Sequence, residues 1–182
     1  MAGMRRRGVL SAAMLASVLC LSVLPASAAP PTTRTVDDPV EPARAYDIVR
    51  VTLSAAPAAD RKAKIVVDHG RRVQVSDGVD VWIDTDDDRQ PDIVISGISF
   101  SEYGVRKARG WDRRGRDITA RGCATLKMTG RRSVVRIDTS CFAPSKRFAV
   151  SVRSFAYGQP ASADDYAPRA QRLTKKVLSY VP

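Results

Sequence analysis

The sequence predicts an all-β protein: an antiparallel β-sandwich of about eight or nine short strands, pinned by one disulfide. Three observations lead there. Apolar residues recur at every second position in short runs, turn-forming residues separate those runs at close intervals, and two cysteines, Cys123 and Cys141, remain once an N-terminal export segment is set aside.

The export segment is Met1 to Leu24, a basic start (Arg5, Arg6, Arg7) followed by an uncharged run, with Ala26-Ser27-Ala28 as a small-residue cleavage site. Residues 1–28 read as a signal peptide and the product as a secreted, extracellular protein. The run Val9 to Leu24 has 16 residues, short of the roughly 20 that span a bilayer, and no later stretch approaches that length. No membrane span is expected. Leu19 is too large to precede a lipid-attached Cys20, and Arg6-Arg7 leaves the general and twin-arginine export routes both open. Losing Arg5, Arg6 and Arg7 lowers the net charge from +11 to +8. Most of the excess is arginine, 23 against 7 lysines, a bias that genome composition also produces, so charge alone names no partner.

Residues 29–45 hold four prolines and no apolar periodicity, which predicts a flexible leader. Residues 46–182 then form a single domain, long enough to bury a core. Within it Val49, Val51 and Leu53 alternate with Arg50 and Thr52, and Val79, Val81 and Ile83 alternate with Asp80, Trp82 and Asp84. These are half-buried strands. Further strands are expected at Lys64 to Asp68, Arg72 to Ser76, Ile93 to Ser96, Gly122 to Met128, Ser133 to Asp138, Arg147 to Phe155 and Val177 to Val181. Thr129-Gly130-Arg131-Arg132 is a hairpin turn between two of them. Pro168 to Leu178 reads equally as a helix or as coil leading into an edge strand.

An even pair of cysteines in an oxidising compartment predicts a Cys123–Cys141 bridge. It lies near the open ends of the expected hairpin, and closing that loop stabilises the fold by roughly 3 kcal/mol on the chain-entropy model. The role is structural.

Between the strands at Val79 and Ile93 runs DTDDDRQPD, Asp84 to Asp92, with five carboxylates in nine residues. With Asp84 as position 1 of a calcium loop, Asp86, Asp88, the Gln90 carbonyl and Asp92 fall at positions 3, 5, 7 and 9, where oxygen ligands converge on one ion. Position 6 is Arg89 rather than glycine, position 12 is Ile95 rather than glutamate, and no helices flank the loop. It is therefore no EF-hand. It resembles the shortened D-x-D-x-D calcium loops of extracellular proteins, which makes calcium the expected cofactor, with Asp164 and Asp165 as further donors if their loop lies at the same end. As a plain acidic turn the run is unfavourable, since two carboxylates 4 Å apart repel by about 1 kcal/mol even in water.

A second constellation, Arg106 to Arg116, gathers Arg109, Arg113, Arg114 and Arg116 around Trp111. Cations beside an aromatic suit an anionic polymer of the cell envelope or extracellular space. No nucleic-acid fold signature accompanies them. The competing reading is a solvated loop with Trp111 turned inward.

Catalytic patterns are absent. The single histidine, His69, sits in a turn-like Asp68-His69-Gly70, no nucleophile elbow is present, and no sequence feature sets two carboxylates across a cleft.

Together the signal peptide, the DTD loop with its Pro-Asp, Gly110-Trp111, the two-cysteine hairpin and the closing Asp164-Asp165-Tyr166-Ala167-Pro168 resemble a group of small secreted actinobacterial β-sandwich-like proteins. The resemblance implies the fold and export and brings no site residue with it. The expected function is a secreted, non-catalytic binding module, calcium-stabilised, for an anionic polymer; a hydrolase using the acidic loop and a protein-binding module are the alternatives.

Overall fold

The computed structural model describes residues 31–112, 114–138, 141 and 146–181. The predicted signal peptide and Arg113 lie outside them. Twelve strands form two antiparallel sheets. The smaller has the order β1-β2-β3-β9-β8: β1 (Thr33–Asp37), β2 (Ile48–Ser54), β3 (Lys62–His69), β9 (Arg132–Asp138) and β8 (Ala124–Thr129). The larger has the order β11-β10-β4-β5-β6-β7: β11 (Asp165–Ala167), β10 (Arg147–Ala156), β4 (Asp77–Asp84), β5 (Ile93–Ile98), β6 (Tyr103–Ala108) and β7 (Arg114–Asp117). The outer edge of β10 is shared, pairing with β12 (Val177–Leu178) near its start and with β11 further along.

Alternation builds the core. Val79, Val81 and Ile83 of β4 point inward beside Ile93 and Ile95 of β5 and Phe148, Val150 and Val152 of β10. Val51, Leu53, Ile65, Val67, Val135 and Ile137 of the smaller sheet join the same buried cluster. Each such side chain, fully withdrawn from water, contributes about 1.5–3 kcal/mol.

The two-residue turn Gly130-Arg131 joins β8 to β9, with Thr129 opposite Arg132 and Gly130 at φ 59°. Glycine supplies that left-handed backbone at least steric cost. The Cys123–Cys141 disulfide spans the open end of this hairpin, its Cα atoms 5.6 Å apart. Among the described residues no helix is long and apolar enough to cross a membrane.

Some local expectations change. Thr33–Asp37, inside the stretch read as a flexible leader, is an edge strand paired with β2, Val36 opposite Val51. Its polar alternation hid it. Arg72 to Ser76, expected as a strand, is a turn: Asp77 Oδ2 accepts the Gln74 N–H (2.6 Å) and Val75 stands out in solvent. β6, β7 and β11 were missed because only Val105 and the ends of β11 are buried on them. Residues 168–176 run as coil into β12 without a helix.

His69 is a core residue. Its ring stacks on Tyr46 at 3.8 Å, and Nε2 lies 2.9 Å from the Ser133 hydroxyl. Burial pushes its pKa down to about 4 from 6.5. A depressed histidine gives stability that is complete above the unfolded value and lost as pH falls toward the folded one. The opposite sign comes from Asp38, raised to about 6 by burial and by Asp165, Glu41 and Asp47, whose contribution grows as pH falls through 6. Urea unfolding between pH 7 and pH 4 is expected to show a His69-dependent loss of about 3 kcal/mol. His69→Gln should start less stable and lack that component of the slope.

Candidate functional site

The acidic loop is shaped by its own aspartates. Asp84 Oδ1 accepts the N–H groups of Asp86 (3.3 Å) and Asp87 (3.0 Å), Asp86 Oδ1 that of Asp88 (3.2 Å), and Asp88 Oδ1 that of Gln90 (2.6 Å). Aspartate favours such local bonds, and their two-residue step brings every second carboxylate to one side. Asp87 and Arg89 take left-handed backbone, at φ 83° and 67°. Arg89 thus adopts a glycine-like φ at the place where the calcium-loop pattern asks for glycine. The carboxylates of Asp84, Asp86 and Asp88 lie within 4.8 Å of one another and can hold a metal ion.

Asp92 stands outside that group: its Oδ2 accepts both the Thr85 N–H and the Thr85 hydroxyl at 2.7 Å. It closes the loop across its base. Gln90, whose carbonyl is the expected ligand, also lines a neighbouring cleft. Asp164 and Asp165 are also engaged away from the loop, Asp164 with Arg153 (2.7 Å) and Asp165 with the Ile48 N–H (2.6 Å).

Asp84 is 1% exposed, and its Oδ2 has no hydrogen-bond partner among the described residues. The nearest cation is Lys176, whose Nζ lies 3.7 Å from that oxygen and also meets the Asp87 carboxylate. A buried carboxylate needs such a counter-charge.

The second constellation reaches the same face. β4 and β10 pair so that Asp84 lies opposite Ala149, Trp82 opposite Ser151, Asp80 opposite Arg153 and Gly78 opposite Phe155, all on the outer side of the larger sheet. A Cβ on Gly78 would lie 2.2 Å from the Phe155 ring, so only glycine lets that ring lie flat; the Arg153 guanidinium covers it at 4.8 Å. Asp80, 2% exposed, takes Arg153 Nη1 at 3.3 Å and Arg114 Nη2 at 3.2 Å. The loop after β6 brings Trp111 over the sheet, 6.1 Å from Trp82 with ring planes at 54°.

Two clefts result. One, of about 700 Å³, lies between the acidic loop and residues 171–176, with Arg89, Gln90, Trp111, Arg172, Lys175 and Lys176 among its walls. The other, of about 290 Å³, is bordered by Trp82, Trp111, Asp112, Arg114, Arg153 and Tyr166. Trp111 and Gln171 line both, so the clefts are neighbours along one face. Arg89, Arg172 and Lys175 have no ion-pair partner among the described residues. Of the predicted ligand-binding residues, Trp111 and Arg114 line these clefts, whereas Arg109 and Arg116 are exposed outside them.

Sequence reading missed Arg153, Tyr166, Arg172, Lys175 and Lys176. The run of four cations from Arg169 to Lys176 was the available signal for the last three.

No protein-family model, curated protein or solved structure matches the chain.

The loop geometry separates its carboxylates by role. Without added cation, Asp92→Ala is expected to lower stability by roughly 1–3 kcal/mol, because it strips two hydrogen bonds from Thr85. Asp86→Asn, at an exposed position, should change it by about 0.5 kcal/mol or less. Chemical denaturation in the presence of a chelator measures both.

Proposed function

We propose that this protein is a secreted, non-catalytic binding module that holds an anionic extracellular polymer across the outer face of its larger sheet. The observation that carries the reading is the joining of two clefts at Trp111, with Arg89, Arg172 and Lys175 free to meet anionic groups. Aromatic faces and unpaired cations along a trough suit a flexible charged chain. The disulfide is in keeping with export to an oxidising compartment.

Calcium is the cation proposed for Asp84, Asp86 and Asp88. All-oxygen donors suit a hard ion, and no histidine or cysteine belongs to the group. In the ion's absence Lys176 neutralises Asp84 and Asp87. Calcium displaces its ammonium toward the cleft, where it adds to the charge offered to the polymer.

Salt titration tests the groove, with heparin and polyphosphate as probes. Affinity for at least one is expected to fall about tenfold or more as salt rises from 50 to 300 mM, through screening and counterion release. Arg172→Gln with Lys175→Gln should flatten that dependence. Salt-independent binding, or binding unchanged in the double variant, overturns the reading, and steady depolymerisation of the probe would make the protein a hydrolase.

Calorimetry tests the loop. With a dissociation constant of roughly 0.1–1 mM, 10 mM calcium is expected to stabilise the fold by about 1.4–2.7 kcal/mol. Asp86→Asn should abolish the gain.

A further inference from the structure

We infer that the smaller cleft is a subsite for a hydroxyl-bearing sugar ring, so that the anionic polymer is an acidic polysaccharide of uronate type rather than a polyphosphate or a nucleic acid. This rests on the reading of the groove as a polyanion site and adds the chemistry of the repeating unit.

Charge balance inside the cleft is the first argument. Arg114 and Arg153 both line it, yet each donates to the buried Asp80 beneath, and Arg153 also pairs with Asp164. Asp112 adds a carboxylate to the wall. Among the described residues two guanidiniums thus face three carboxylates, and these groups offer no surplus positive charge to a chain of dense phosphates. One charged contact remains on offer: the Arg114 side chain is 47% exposed and has N–H donors beyond the one given to Asp80. That matches a ring carrying a single carboxylate.

Hydrogen-bond polarity is the second. Asp112 can only accept when ionised, and Gln171 offers both acceptor and donor. A ligand that satisfies Asp112 must bring its own donors. Sugar hydroxyls do; the ionised oxygens of a polyphosphate or a phosphodiester backbone only accept. In front of Asp112 a phosphate would meet a negative charge that has no ion-pair partner among the described residues.

Shape is the third. Trp82 and Trp111 are inclined at 54° with their centroids 6.1 Å apart, so they form a corner, not a parallel slot into which a flat base slides. A puckered ring presents C–H groups on its two faces and hydroxyls around its rim. It can lie against one indole while the other and Tyr166 border it. A volume of about 290 Å³ fits one such unit rather than a long segment. The unpaired cations Arg89, Arg172 and Lys175 stand in the adjoining cleft, where the carboxylates of neighbouring sugars would arrive.

Trp82 and Trp111 are the two tryptophans of the chain and both border this cleft, Trp111 at its junction with the larger one, so intrinsic tryptophan fluorescence reports on ligands bound there. The mature protein is titrated at fixed salt with oligogalacturonate, a polyphosphate of similar charge and a neutral glucan oligomer, and affinities are checked by calorimetry. The uronate is expected to change the fluorescence and to bind about tenfold or more tighter than either competitor; Trp111→Ala should cost it about tenfold, as loss of a stacking face does. Asp112→Asn, at an exposed position that leaves folding intact, should weaken uronate binding and strengthen polyphosphate binding. Polyphosphate or single-stranded DNA binding as tightly as the uronate overturns the inference and leaves the groove reading standing. So does uronate binding that Asp112→Asn leaves unchanged. If none of the polyanions binds, the groove reading itself fails.

Discussion

The antiparallel pairing of β4 with β10 sets most of what this molecule can do. Its register places Val81 beside Val152 in the core, and the same register turns Asp80 toward Arg153 and Trp82 toward Ser151 on the opposite side. Side chains alternate across a strand, so a slip of one residue would bury the charged set and expose the valines. Core and groove are therefore two faces of one constraint. The small residues Ala149 and Ser151 leave room above the sheet, and the loops after β4 and β6, with residues 171–176, wall that room in.

Electrostatics on that face divides between fixed and available charge. Asp80 is buried under two arginines, and breaking such a group by removing one partner is costly because a charge is left unsolvated. Arg114 and Arg153 are consequently held in place, Arg153 further by the Phe155 ring lying over Gly78. Held cations act as fixed hydrogen-bond donors. Arg89, Arg172 and Lys175 carry their charge on flexible stems and attract from a distance, an action that salt screens. These two kinds of cation are segregated between the two clefts, which is the basis for proposing a different ligand chemistry for each.

The sandwich was legible because its central strands are regular. β2, β3, β4, β5 and β10 each bury at least three apolar side chains and β9 buries two, and period-two alternation exposes such strands in the sequence. β1, β6, β7 and β11 lie at or near sheet edges and bury little, so their sequences look like loops. The site followed the same rule. Asp84, Asp86 and Asp88 were readable because a local turn arranges them, whereas the hydrogen bonds that hold Asp92 come from Thr85, seven residues away. Trp111 and Arg114 could be named as a pair; that they face Arg153 and Tyr166 depends on long-range pairing that no local pattern encodes. Arg109 and Arg116 have the same chemistry and similar spacing yet lie exposed outside both clefts, because composition does not encode which way a loop residue faces.

Lys176 ties the loop to the groove. A cation entering among Asp84, Asp86 and Asp88 must compete with an ammonium already 3.7 Å from Asp84 Oδ2, so the loop's affinity for an ion is lowered by the work of displacing it. On the proposed reading, the displaced ammonium would remain tethered to the strap of residues that walls the larger cleft, where it would join Arg172 and Lys175. By linkage, an anion that favours Lys176 in the cleft favours the ion in the loop by the same factor. On the proposed reading, Asp84 and Asp87 have a further purpose in a chain otherwise rich in arginine: they hold one lysine back until a cation takes its place.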